Sequence, residues 1–189
     1  MSAQDKDVLV PLADGFEEIE AITIINLLRR AGITVTLATI TDKLEVYGSH
    51  NICVKAEQKI SAVIDRRFDG IILPGGMPGT KNLSQSKELS QMISRQWERG
   101  EILAAICAAP TVLAQCGVLK GKEATSYPEF QSQLSGAKVS QKPVVEDGNV
   151  VTSQGPGTAI LFSLKMIEKL VGSEKRAQIE KAILFLGPS

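Results

Sequence analysis

Gly100-Glu101-Ile102-Leu103-Ala104-Ala105-Ile106-Cys107-Ala108-Ala109-Pro110-Thr111 joins an unbroken apolar run to a small-residue helix start, with a cysteine at the joint. Ile102 to Ile106 has the length and composition of a strand buried on both faces, as in a parallel sheet covered by helices. Ala108 to Ala114 reads as a helix with Pro110 in its first turn, where a missing N–H costs nothing. Cys107 is therefore expected at a sharp strand-to-helix turn. Amides of Ala108 and Ala109 without helical partners, together with the positive helix end, would favour a thiolate there. This is the geometry of a nucleophile elbow without its usual G-x-S-x-G sequence.

Strand and helix patterns alternate outward from that turn in both directions. Val8 to Leu12 reads as the first strand and Phe16 to Ala31 as the first helix, closed by Gly32. Thr34 to Thr39 is a β-branched strand, and Leu44 to Val54 suits a short hairpin around Gly48-Ser49. Gly70 to Leu73 is a buried strand that runs into Pro74-Gly75-Gly76-Met77-Pro78-Gly79, read as an irregular loop. Ser86 to Arg99 is a helix. Val144 to Glu146 and Val150 to Ser153 flank Asp147-Gly148, a hairpin signal. A long helix from about Gly157 to Val171 follows, and Ser173 caps a terminal one. The expected fold is α/β and flavodoxin-like, a doubly wound, mostly parallel sheet sandwiched by helices and formed by residues 1–189 as a single domain. Ligands of such sheets bind outside the carboxyl ends of the strands. The turn after Leu12, the Pro74–Gly79 loop and Cys107 all fall there.

Composition narrows the function. The chain has 189 residues, 21 basic and 21 acidic, with no basic run, which excludes the electrostatic footprint of a nucleic-acid binder. The start, Met1 to Asp7, is polar, unlike a signal peptide, and the longest apolar stretch, Ile102 to Ala114, is too short to span a bilayer. Three cysteines without C-x-x-C spacing make neither a disulfide framework nor a zinc site. No membrane, metal or cofactor is expected, and a reducing cytoplasm is the natural location.

Around Cys107, Glu17 and Glu18 suffice as complements to the dipole of the first helix. Glu20 lies inside the apolar run Ile19-Glu20-Ala21-Ile22, and its facing is open on the residues alone. Turned inward beside a thiol, it would have a raised pKa and could shuttle a proton. Gly75 and Gly76 let backbone approach a ligand closely, as an oxyanion site or simply as a tight turn. Gly76-Met77-Pro78-Gly79-Thr80-Lys81 lacks P-loop spacing, and Gly155-Pro156-Gly157 lacks the third dinucleotide-binding glycine. The single histidine, His50, reads as a surface residue. Cys53 and Cys116 read as structural, having no electropositive setting.

Four segments in order, Gly15-Phe16-Glu17-Glu18-Ile19-Glu20, Leu73-Pro74-Gly75-Gly76, Ala104 to Thr111, and Thr152-Ser153-Gln154-Gly155-Pro156-Gly157-Thr158, resemble the ThiJ/PfpI superfamily and specifically its DJ-one branch. The resemblance implies a homodimer with Cys107 as oxidisable nucleophile, Glu20 as its protonated partner, and Gly75, Gly76 and Ala108 as backbone donors. It implies action on 2-oxoaldehydes such as methylglyoxal, or on their adducts with protein thiols and amines, in stress protection. The alternative is an oxidation-sensing stress protein or chaperone using the same cysteine. One position departs from the pattern: Tyr127 stands where many members carry a histidine. That weakens an amidase or protease reading, because a phenol is a poor proton donor to a leaving amine. His50 falls where relatives often carry an arginine reaching the partner subunit's site, so a site-lining role across a dimer is a further expectation.

Overall fold

The computed structural model describes residues 6–187; the polar stretch 1–5 lies outside them. The strands are β1 (Asp7–Leu12), β2 (Thr34–Thr39), β3 (Glu45–Tyr47), β4 (Cys53–Lys55), β5 (Gln58–Lys59), β6 (Gly70–Leu73), β7 (Ile102–Ile106), β8 (Glu123–Ala124), β9 (Lys138–Val139), β10 (Val144–Asp147) and β11 (Val150–Ser153). The helices are α1 (Glu18–Arg30), α2 (Gly79–Gln85), α3 (Lys87–Glu98), α4 (Pro110–Gln115), α5 (Ala159–Val171) and α6 (Ser173–Ala182). Seven strands form the central sheet in the order β10-β11-β7-β6-β1-β2-β5. All neighbours are parallel except β10 and β11, the hairpin around Asp147-Gly148. This is a flavodoxin-like α/β fold.

Period-two side-chain alternation explains the two covered faces. Val8, Val10 and Leu12 of β1 pack in one apolar cluster with Ile24 and Leu28 of α1 and Phe162 and Ile167 of α5. Leu9, between them, joins Ile71, Leu73 and Leu103 on the other face, under Leu89 and Ile93 of α3 and Leu113 of α4. Strands buried on both sides carry no polar alternation, which is why the run into Cys107 is continuously apolar.

Element boundaries differ from the sequence reading where loops are tied down. The first helix starts at Glu18, not Phe16, because the Phe16 amide closes a turn on Ala13 and the Glu17 amide donates to the Gly75 carbonyl at 2.9 Å. Gly79 is not loop but the first residue of α2, a short helix the Gly/Pro-rich sequence conceals. The helix after Cys107 starts at Pro110 and has only 6 residues, since Ala108 and Ala109 are used in the turn. β1 leads to β2 on one side while β6 and β7 lie on the other, so the strand order reverses between β1 and β6. A crevice at the carboxyl ends of the strands is expected at that point.

Candidate active site

Cys107 follows the last residue of β7 with φ 65, in the left-handed region that costs a non-glycine residue roughly 1–2 kcal/mol. The turn is held from both sides. The Cys107 amide donates to the Ser153 carbonyl at 3.0 Å, and the Cys107 carbonyl accepts from the Tyr127 amide at 2.9 Å. Strain imposed by neighbouring strands in this way is the mark of a nucleophile elbow.

The partner carboxyl comes from α1. Glu20 is fully buried, and its Oε2 accepts from the Gly75 amide at 2.8 Å. Its other oxygen, Oε1, is buried without a hydrogen-bond partner among the described residues, and the Cys107 thiol is the side chain beside the carboxyl that lowers its proton affinity. The open facing of Glu20 thus resolves inward. Gly75 explains how carboxyl and thiol come together: a methyl there would stand 2.6 Å from Cys107 Cβ and 2.9 Å from Glu20 Oε2. Gly76, at φ 93, would drive a methyl to 2.3 Å from the Glu17 amide. Both glycines are therefore required by close approach, one toward the thiol and one toward the start of α1. Gly75→Ala is expected to cost roughly 1–3 kcal/mol of stability by overpacking and to change the alkylation rate of Cys107. Urea midpoints and iodoacetamide kinetics both unmoved would show that the site has room.

Proton affinity in this pair is set by burial against hydrogen bonding. Burial pushes Glu20 up to about 7, opposed by the Gly75 amide and the thiol. Burial, then the facing Glu20 carboxylate, push the Cys107 thiol up to about 12, opposed by the amides of Gly76 and Ala108. The expectation of a thiolate favoured by the Ala108 and Ala109 amides and the helix end is corrected. The Ala108 amide faces the sulfur, but the Ala109 amide donates to the Ile106 carbonyl at 3.0 Å, and Gly76 supplies the second amide. Burial and the Glu20 carboxylate outweigh both, and a six-residue helix adds little dipole. Burial opposes the thiolate throughout and an ionised Glu20 adds to that, so the thiol ionises more readily when Glu20 holds the proton, and the two groups titrate as a unit.

The other residues singled out in the sequence fall in different places. Tyr127 is at the elbow through its backbone, while its half-exposed ring rests over Gly155. His50 is on the surface, with Nδ1 2.9 Å from Glu18 Oε2 and 3.8 Å from Glu17 Oε2; within the chain its imidazole meets Glu18, not Cys107 or Glu20. Glu18 does more than complement a dipole. It accepts from the amides of His50 (2.7 Å) and Ile52 (3.4 Å) and thereby ties the β3–β4 hairpin to α1. Burial would raise its pKa, but bonds from the His50 side chain and these amides hold it at about 2. Sequence spacing carries no signal for that contact, because it joins segments more than thirty residues apart. Cys53 is exposed, and burial raises the thiol of half-buried Cys116.

Residues 6–169 match the model of the DJ-1/PfpI family. The chain belongs to that family. It is 42% identical to Protein dj-1beta of Drosophila melanogaster over 95% of this chain and 97% of the relative. It is 42% identical to Protein DJ-1 homolog A of Arabidopsis thaliana over all of this chain but 49% of the relative, so it spans about half the length of that protein. A solved structure titled Toxoplasma gondii DJ-1, oxidized, superposes with a TM-score of 0.93 at 41% identity, covering 95% of this chain and 98% of the other. The family also includes a protein named glutathione-independent glyoxalase DJR-1.2 of Caenorhabditis elegans, 32% identical over 97% of this chain and 98% of the relative. Among the described residues, no helix of this DJ-1/PfpI member is long and apolar enough to cross a membrane.

Proposed function

We propose that this DJ-1/PfpI protein is a Cys107-dependent enzyme that converts 2-oxoaldehydes such as methylglyoxal to hydroxy acids, or removes them from early adducts, in stress protection. The observation that carries the reading is the fully buried Glu20, bound to the Gly75 amide and coupled to a thiol that two further amides face. Sulfur adds to the aldehyde carbon, the carbonyl electron pair moves to oxygen, and the Gly76 and Ala108 amides hold the developing negative charge. Glu20 delivers its proton to that oxygen, giving a hemithioacetal. As carboxylate it then takes the proton from the former aldehyde carbon and returns one to the adjacent carbon through an enediol. The resulting thioester is hydrolysed by water, which releases the hydroxy acid and the thiol. The net change is addition of one water, with no external oxidant or cofactor.

No step from the free aldehyde expels an amine, so that reaction demands nothing of the phenol at position 127. Tyr127→Phe is expected to keep lactate formation from methylglyoxal within about threefold of wild type. In a hydrolase using the phenol as general acid, the same change would cost roughly 10²–10⁴-fold. Peptide cleavage by wild type that collapses in the variant would overturn the aldehyde reading.

The same reading includes a homodimer. Ile19 and Ile22 on α1 and Tyr47 and Ile52 on the hairpin are exposed apolar side chains, on two elements joined through Glu18. Such a surface suits a second copy, and His50 beside it would then face the partner's site. Three cysteines without disulfide bonds suit a reducing compartment such as the cytoplasm. Sedimentation velocity tests the first point: a monomer at micromolar concentration would remove the cross-dimer role of His50.

A further inference from the structure

Cys107 is held in its left-handed conformation by two backbone bonds, and both trace back to neighbouring residues of β11. Its amide is bonded to the Ser153 carbonyl at 3.0 Å, which is a direct bond from β11. Its carbonyl accepts from the Tyr127 amide at 2.9 Å. Tyr127 lies outside the central sheet, just beyond the short strand β8, so its segment needs its own anchor.

That anchor is a side chain. The Thr125 amide donates to Thr152 Oγ1 at 2.9 Å, and both residues are buried. β11 is a firm base for it. Thr152 pairs with Ala105 and Ser153 with Ile106 on β7, and β10 pairs along the other edge. The Ser153 hydroxyl also donates to the Pro143 carbonyl at 2.8 Å and meets Thr158 Oγ1 at 2.7 Å.

Packing does not ask for threonine at position 152. β11 is buried along its whole length, and Val150, on the same face by period-two alternation, joins the apolar cluster with α3 and α4. Valine has nearly the shape of threonine, and a hydroxyl in such a place costs free energy unless it is bonded. The hydroxyl of Thr152 is explained by what it holds.

We infer that Thr152 is a positioning residue for Cys107. Its hydroxyl fixes the Thr125–Tyr127 segment where the Tyr127 amide can keep the Cys107 carbonyl, and so keeps the sulfur facing the Gly76 and Ala108 amides and Glu20. Without that acceptor the buried Thr125 amide loses its partner, the segment shifts and the strained turn relaxes. Misplacing a nucleophile by about 1 Å costs rate rather than affinity. The kinetic consequence rests on the Cys107 reading above; the positioning of the turn does not.

The test compares Thr152→Val with Thr152→Ser, which keeps the hydroxyl. The control is Thr36→Val, which removes a buried hydroxyl bonded to Asp7 Oδ1 at 3.2 Å on β2, three strands from β7. Thr152→Val is expected to lower kcat for methylglyoxal roughly 10- to 100-fold, with KM within about twofold. Hydrogen exchange at the Tyr127 amide should quicken at least about tenfold beyond any change in global stability. The pH profile of Cys107 alkylation by iodoacetamide should be displaced in the same variant. Thr152→Ser and Thr36→Val should keep the wild-type kcat, exchange and alkylation profile. Thr152→Ala carries the expectations of Thr152→Val and takes its place should valine fail to fold. Unchanged kcat and Tyr127 exchange in Thr152→Val overturn the assignment. So does an equal loss in Thr36→Val, or a Thr152→Ser protein as impaired as Thr152→Val. If wild type consumes no aldehyde, the enzyme reading fails, and exchange and alkylation alone decide the role of Thr152.

Discussion

Cys107→Ala is expected to abolish methylglyoxal consumption, a loss of at least about 10³-fold, while Cys53→Ala and Cys116→Ala retain it. Cys107 is the cysteine set at a strained turn, with the Gly76 and Ala108 amides at sulfur and a buried carboxyl alongside. Cys53 lies exposed on the short strand β4, and Cys116 caps α4, where burial only raises its pKa. At Cys116 the Ser90 side chain is the one group that opposes burial, in place of the two backbone amides and buried carboxyl that surround Cys107. Alanine at 107 removes the nucleophile without overpacking the turn, so thermal unfolding of the variant should stay close to wild type. Lactate released per mole of protein, measured over many turnovers, is the deciding quantity. Equal loss in all three variants would sink the assignment. Wild type that consumes at most one equivalent of aldehyde would instead favour the sensor or chaperone reading, in which modification of Cys107 is itself the signal.

Much of this was legible in the sequence because buried parallel strands write themselves as uninterrupted apolar runs. Val8 to Leu12, Gly70 to Leu73 and Ile102 to Ile106 all fall on central strands, and the Asp147-Gly148 turn marks the antiparallel edge. Elements with two- or three-residue strands, such as Gln58–Lys59 and Lys138–Val139, carry too few residues for any period to show. α2 is hidden because Gly79 and Thr80 are poor helix formers, held there by hydrogen bonds from the Gly79 amide to the Gly15 carbonyl and from the Thr80 amide to the Gly76 carbonyl. Cys107 could be read from local order: apolar run, cysteine, small residues, proline. Glu20 could not, because the same acidic helix start contains Glu17 and Glu18, and all three are buried for different reasons. Glu17 caps its helix by accepting from Ile19, Glu18 holds the hairpin, and only Glu20 meets Gly75. Long-range backbone partners decide among them, and sequence spacing does not encode those.

Glu20→Gln should separate proton transfer from architecture. The amide keeps the shape of the carboxyl, and its oxygen can still accept from Gly75, but it neither holds nor delivers a proton. Turnover is expected to fall roughly 10²–10⁴-fold, the factor typical of a lost general acid or base. The pH dependence should change form as well as height. In wild type, Cys107 and Glu20 compete within one buried site, so iodoacetamide alkylation should rise in two steps as the pair loses its protons in turn. With glutamine the same plot should show one step, belonging to the thiol alone. Stability supplies an independent check with a definite sign. A buried carboxyl raised from an ordinary 4.5 to about 7 binds its proton more tightly in the folded chain than in the unfolded one. Its contribution to stability is therefore full below about pH 4.5 and is lost as pH rises toward 7. Glu20→Gln should flatten that part of the stability profile while the groups elsewhere keep theirs. A variant with unchanged turnover, a two-step alkylation profile and the wild-type stability slope would mean that Glu20 exchanges no proton with Cys107, and the proposed chemistry would lose its acid and its base together.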